Sequence, residues 1–258
     1  MTEKKIQYLR PASLAEALSL KQEFGDRAKY LFGGVFQPKL EENLEVLIDL
    51  QNAGLDSVEW NEIDLKIGGM ATLKTLEETL GLAGFGEALR IEFGMNVRNS
   101  LSLSNFLAQT NGRSPILCCL LALETSVVTL NKPEEVSLLS FLHERTGNDQ
   151  VIQILVPEPA NFAFDSVGRS PKDLPIVCVA AAQTADGAIN IAVGGTMEVM
   201  PGFKLHNFDD DGQAEIRAVF ADAQDDWASS EYRQEVGAVL LSRTLQKLHL
   251  QAGNQEAK

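Results

Sequence analysis

Apolar positions recur at helical spacing near the start of the chain, where Leu14, Ala17, Leu18 and Phe24 form one stripe. Ser13 stands where an N-cap belongs and Glu16 completes a capping box, so the pattern predicts a helix after Pro11 that Gly25 stops. Lys29-Tyr30-Leu31-Phe32 then reads as a strand running into Gly33-Gly34, and Glu45 to Leu50 as the next strand, giving a compact α/β lobe. Past a connection from Gly54 to Asn61, the pattern predicts a strand from Asp64 to Gly68, a helix from Thr72 to Leu80 and a glycine-limited helix from Gly84 to Phe93. A loop follows that carries Asn96-Val97-Arg98-Asn99 and Leu101-Ser102-Leu103-Ser104-Asn105. Beyond it come an apolar helix from Pro115 to Glu124 with proline in its first turn, a β-branched strand from Ser126 to Leu130, a short helix from Leu138 to Arg145 and a strand from Val151 to Val156.

The Pro157-Glu158-Pro159 segment reads as a boundary. After it, Phe162-Ala163-Phe164, Ile176 to Gln183 and Ile189 to Val193 predict antiparallel strands, the last two joined by a turn at Asp186-Gly187. Helices from Gln213 to Ala221 and from Glu231 to Leu250 close the chain, the second with Tyr232, Val236, Val239 and Leu240 on one face. The expected organisation is a lobe over residues 1–55, a second lobe over 56–157, a third domain over 158–250 and a frayed tail over 251–258.

Composition narrows the chemistry. With 36 acidic against 22 basic residues the net charge is −14, which opposes attraction to phosphate backbones and argues against nucleic acid as a partner. An anionic ligand must then be held by oriented backbone N–H groups. The N-terminus lacks the apolar core of a signal peptide and no stretch has the apolar length of a membrane span, so a cytoplasmic protein without a membrane partner is expected. Cys118, Cys119 and Cys178 form no CxxC pair, and His143, His206 and His249 have no metal-ligand spacing.

Most local motifs carry little. Asn207, Asp209, Asp211 and Gly212 imitate part of a calcium loop, but its closing acidic position holds Ala218, so the stretch reads as a solvated acidic linker. Ser114 and Ser170 lie in no nucleophile elbow and each precedes proline. Gly-Arg-Ser-Pro occurs at Gly112 to Pro115 and again at Gly168 to Pro171 without a shared period around it, and reads as coincidental turn chemistry. The strand that ends in Phe32-Gly33-Gly34-Val35-Phe36 is different in kind, because successive N–H groups free of side chains make a nest that approaches a pyrophosphate.

Taken end to end, the chain resembles the FAD-binding medium subunit of molybdenum-containing hydroxylases, the group that includes carbon monoxide dehydrogenase and xanthine dehydrogenase. Tyr8 to Ala17 is similar to the family's RPxSLxEAL start, Phe32 to Phe36 lies over its Ala-Gly-Gly-Thr, and Asn96-Val97-Arg98-Asn99 resembles its QxRN, which sets Leu101 to Phe106 over its Gly-Thr-Ile-Gly-Gly-Asn. Val167-Gly168-Arg169, Asp173, Val179 to Ala181, Val193 to Thr196 and Pro201 follow in the family's order, and Asp226 to Arg233 resembles its D-x-x-AS-x-x-YR.

The resemblance implies an α+β fold: a two-lobed FAD-binding module of the vanillyl-alcohol-oxidase or PCMH type, plus a C-terminal domain of antiparallel sheet and helix. It implies noncovalent FAD held by Phe32, Gly33, Gly34, Val35 and Phe36 on one loop and by Ser102, Leu103, Ser104 and Asn105 on the other. It further implies an electron-transfer subunit of an oxidoreductase, fed by iron–sulfur clusters and passing electrons to a final acceptor. The implied partners are an iron–sulfur small subunit and a molybdopterin large subunit.

Five positions depart from the family pattern. Val35 replaces a hydroxyl, Leu101 a glycine, Ser104 and Asn105 two glycines, and Phe106 an asparagine. If those glycines are left-handed, each replacement costs about 1–2 kcal/mol and puts a Cβ toward the pyrophosphate. Ser102 and Asn105 then offer side-chain donors instead. The same departures support an alternative, a degenerate non-flavin scaffold or assembly module of the same fold.

Overall fold

The computed structural model describes residues 6–33, 43–61, 64–146, 149–171 and 173–256. Strand β1 (Gln7–Leu9) leads into helix α1 (Leu14–Phe24), followed by β2 (Ala28–Leu31) and β3 (Val46–Asp49). Ser13 caps α1 by accepting from the Glu16 amide, and Glu16 reaches back to the Ala12 amide at 2.8 Å, so the capping box forms as expected. The three strands make a parallel sheet in the order β1-β3-β2. Its core is Ala17, Ala28, Phe32, Val46, Ile48 and Leu50. Buried Asp49 accepts from Tyr8 and, at 3.0 Å, from Arg10, which ties β1 to β3.

The second sheet collects β4 (Val58–Trp60), β5 (Asp64–Gly68), β6 (Ser126–Thr129), β7 (Val136–Ser137) and β8 (Val151–Pro157) in the antiparallel order β4-β5-β8-β6-β7. Between β5 and β6 run α2 (Leu73–Leu80), α3 (Ala83–Glu92), α4 (Met95–Ser100), α5 (Leu103–Gln109) and α6 (Pro115–Ala122), with α7 (Leu138–Glu144) after β7. The predicted loop over residues 96–105 is thus two short helices broken at Leu101 and Ser102. The break has a local cause: Ser102 is extended and its hydroxyl caps α5 by accepting from the Asn105 amide.

The third sheet is antiparallel, in the order β12-β11-β10-β9, built from β9 (Asn161–Val167), β10 (Val177–Gln183), β11 (Ile189–Gly194) and β12 (Phe203–Leu205). Helices α8 (Gln213–Val219) and α9 (Ser230–Glu256) follow. The period of two sorts its residues between faces. Phe162, Phe164, Cys178, Ala180 and Ala182 join the core that includes α3 and α6, while Ala163, Val177, Val179 and Ala181 join the core that includes α9. Both faces are covered, which is why β10 reads as an unbroken apolar run.

Helix α9 differs from its predicted form. Of the predicted face Leu240 is buried and Val236 packs partly against the core, but Tyr232 and Val239 are exposed; the buried stripe runs through Arg233, Leu240, Leu241, Thr244 and Leu248. The helix also continues to Glu256, past the point where fraying was expected. Arginine and threonine on the buried line hid the true face from a reading based on apolar residues alone. Strands β1, β4 and β12, three residues each, also escaped prediction because so short a run carries too little periodicity.

Candidate dinucleotide-binding site

The end of β2 and the start of α5 face each other. Gly33 has φ +68°, a left-handed conformation that a side chain would strain, and a Cβ there would lie 3.1 Å from the Met70 methyl. Opposite it, the Ser102 hydroxyl donates to the Phe32 carbonyl, and the Asn105 side-chain amide donates to the Gly33 carbonyl at 2.7 Å. The structure therefore brings together Phe32, Gly33, Ser102, Leu103, Ser104 and Asn105. Gly34, Val35 and Phe36 lie outside the described residues.

The second loop is bonded differently from its expected form. The Leu103 amide donates to Ala71 O at 2.9 Å, the Ser104 amide to Gly69 O at 2.8 Å and the Asn105 amide to Ser102 Oγ at 3.2 Å. Three N–H groups at the head of α5 thus have protein acceptors. Ser104 and Asn105 are helical, and Glu124 alone among the described non-glycine residues has positive φ, so the left-handed penalty expected for them does not arise. Phe106 turns into the core, edge-on to Phe93 with ring centroids 6.3 Å apart.

The loops fit a dinucleotide in their placement: a glycine without Cβ ends one strand, a helix start faces it, and the carboxamide of Asn105 stands between them. They fit less in their donors. The Ser102 hydroxyl is engaged with Phe32, and the Asn105 carboxamide donates to Gly33 O and accepts from Gln109 at 2.8 Å, so a diphosphate would draw its contacts from the Gly33 side and from the second N–H of Asn105. Arg98, in the segment read as QxRN, points elsewhere: it is buried and pairs with Glu77 at 2.6 Å, joining α4 to α2.

The family model described as the FAD binding domain in molybdopterin dehydrogenase matches residues 4–159, which include both loops. The chain belongs to this family. It accordingly carries the FAD-binding domain of a molybdenum hydroxylase-type medium subunit, a component associated with oxidoreductases. The uncharacterized protein YgfM of Escherichia coli (strain K12) is 28% identical over 248 residues, covering 92% of this chain and 93% of YgfM. Carbon monoxide dehydrogenase from Hydrogenophaga pseudoflava superposes with a TM-score of 0.72 at 19% identity, covering 97% of this chain and 99% of that one. Quinoline 2-oxidoreductase from Pseudomonas putida 86 gives 0.70 at 18% identity, covering 96% and 98%. At such identities these likenesses establish the α+β fold of the family's medium subunits. Among the described residues no helix is long and apolar enough to cross a membrane.

A second cluster of this FAD-binding family member went unread in the sequence. Arg113 and Arg169, the arginines of the two Gly-Arg-Ser-Pro segments, both lie over the Trp227 ring, at 3.7 and 5.0 Å from its centroid. Arg113 also pairs with Asp225 at 2.8 Å, and the other Asp225 oxygen meets fully buried Arg233 at 2.7 Å. Arg233 further donates to the carbonyls of Ala223 and Ala228, at 2.5 and 3.1 Å. Burial pushes the Asp225 carboxyl upward, but the Arg233 hydrogen bond and the Trp227 and Ala228 amides outweigh it and hold the group below its ordinary range. The neighbouring Gly112 permits the approach of the last sheet: a Cβ on it would lie 1.9 Å from Glu198 O. The repeated tetrapeptide carries both arginines, but nothing local in the sequence places them on one indole.

Glu92 completes this side of the molecule. At the end of α3 it accepts from the Ser114 hydroxyl at 2.6 Å and from the Ile116 amide at 3.4 Å, capping α6 from outside. Burial raises its carboxyl to about 7, against the lowering effect of those two donors.

Proposed function

We propose that the chain is the noncovalent FAD-binding electron-transfer subunit of a molybdenum hydroxylase-type oxidoreductase, passing electrons from iron–sulfur clusters on a partner to a final acceptor. The family match across residues 4–159, with Gly33 and Asn105 facing each other inside it, carries this reading. The partners we propose are an iron–sulfur small subunit and a molybdopterin large subunit, assembled in the cytoplasm.

Bound FAD would supply the redox chemistry. The chain's own part is to bind and orient. The Gly33 amide would meet the diphosphate where no Cβ intrudes, while the Asn105 carboxamide would turn its second N–H toward it. Ser102 would hold the two loops at a fixed separation through its bond to Phe32.

One observation favours a second reading, a scaffold or assembly module that keeps the fold without the flavin. The amides at Leu103, Ser104 and Asn105 all have protein acceptors, so the helix start offers a diphosphate little of its positive end. Purification of the full chain separates the two. The first reading expects a flavin absorption spectrum that survives desalting, or saturable uptake of added FAD with one flavin per chain. A colourless protein that takes up no FAD on titration would leave the scaffold.

A further inference from the structure

The outward face of α9 carries an ordered charge pattern around one exposed valine. Val239 is 57% exposed, with half-buried Val236 next to it and exposed Tyr232 two turns back. A groove of about 240 Å³ runs alongside, lined by Val167, Val236, Val239 and Leu240, with Glu235 at one end along the helix and Arg243 at the other. Glu235 and Arg243 each lie four residues from Val239, and Glu231 and Lys247 each lie eight. All four charged residues are exposed. With Val239 they form one i±4n row, the ridge that packs beside its like when two helices cross near −50°. The half of this ridge before Val239 is acidic and the half after it basic.

Contacts inside the chain explain only part of that order. The helix macrodipole favours an acid in the first turn and so accounts for Glu231, but its effect fades within a turn, and Arg243 and Lys247 stand in mid-helix. Arg243 meets Asp165 at 3.0 Å through Nε, and Glu235 accepts from Arg217 at 2.5 Å through Oε1. The Nη groups of Arg243 and Oε2 of Glu235 are left for a further partner. Like charges four residues apart also repel along a lone helix, as Glu231 and Glu235 do, and Arg243 and Lys247.

An antiparallel copy crossing at Val239 resolves both points. It sets Glu235 of each chain against Arg243 of the other, and Glu231 against Lys247, while each groove takes the other copy's Val239. A partner of one charge sign would match half of the ridge and be repelled by the other half. We propose that this face of α9 is an isologous docking surface for a second copy of the chain. A single helix pair falls below about 1,200 Å² of buried surface, so the dimer is weak and reversible.

The test is sedimentation of the full chain at rising concentration in low and high salt. A monomer–dimer equilibrium that salt weakens is expected. Glu235→Arg should raise the dissociation constant about tenfold or more, because the reversed pair occurs twice across the axis. Arg243→Glu should do the same, and an equimolar mixture of the two variants should recover a one-to-one dimer, since opposite charges face each other again. If Arg243→Glu does not fold beside Asp165, Val239→Cys decides. The native cysteines are all buried, so oxidised glutathione should join two copies through position 239. Gln246→Cys, exposed on the same helix but about 20 Å from its copy in this arrangement, should not cross-link. A chain that stays monomeric to about 1 mM would leave this face to a different protein and overturn the proposal. A dimer indifferent to Glu235→Arg, or cross-linking at position 246 as readily as at 239, would overturn it equally.

Discussion

The cleft between the first two sheets and the junction between the second and third are both made where loops meet helix ends, yet they are bonded in opposite ways. At the cleft, neutral hydrogen bonds from Ser102 and Asn105 to two carbonyls join β2 to α5. At the junction, Asp225 ties Arg113 to Arg233, Trp227 lies under two guanidinium groups, and Arg233 is closed off from solvent. Neutral bonds of this kind contribute about 0.5–1.5 kcal/mol each, whereas breaking a buried ion pair costs about 3–5 kcal/mol. A cleft closed by such bonds can open at modest cost. The junction that fixes the last sheet against the FAD-binding module cannot.

The largest expected effect tests that contrast directly. Arg233→Met removes the donor from Asp225 and from the Ala223 and Ala228 carbonyls, and should destabilise the chain by about 3–5 kcal/mol in urea unfolding. Arg233→Lys should recover only part of this, since one ammonium cannot reach acceptors arranged around a planar fork. A loss below about 1 kcal/mol for Arg233→Met would mean that the junction is no firmer than the cleft.

The same contrast explains what the sequence made legible. The long elements were readable because Leu14 to Phe24 and the pair of strands around Asp186-Gly187 carry clear periods and caps. The cleft was readable only in part: glycine after a strand has a local meaning, but the family resemblance draws attention to residues 101–105, and the helix that Ser102 caps reads as a loop in the sequence. The junction was not readable. Arg113, Arg169, Asp225, Trp227 and Arg233 come from three separate stretches, and only tertiary packing sets two guanidinium groups over one indole. Asn105 shows the limit from the other side: it was read as a glycine replacement under backbone strain, whereas helix α5 gives it an ordinary conformation and its side chain makes the contact.

The next effect depends on pH and sharpens the contrast on the junction's side. Burial raises the Glu92 carboxyl from 4.5 to about 7, so between those values the folded chain holds a proton that the unfolded chain releases. Stability from this group is therefore complete below about pH 4.5 and declines as pH rises through 7. A shift of that size corresponds to about 3 kcal/mol at most, and contributions near 1–3 kcal/mol are expected. Glu92→Gln keeps an acceptor for Ser114 and Ile116 without the ionisation. Its unfolding free energy should gain on the wild type between pH 5 and pH 8; parallel profiles would show that Glu92 titrates as an exposed carboxyl.

The smallest effect belongs to the cleft. Ser102→Ala removes both the cap of α5 and the bond to Phe32 O, and should cost about 1 kcal/mol, within the 0.5–2 kcal/mol typical of lost N-caps. Hydrogen exchange separates this from general loosening. The Asn105 amide loses its acceptor and should exchange faster, while the Ser104 amide, held by Gly69 O, and the Leu103 amide, held by Ala71 O, should keep nearly their wild-type protection. Uniform acceleration across all three would place the cleft within one cooperative unit with the rest of the second sheet. Acceleration confined to Asn105 would mark Ser102 as a local clasp, able to yield while the head of α5 stays in place.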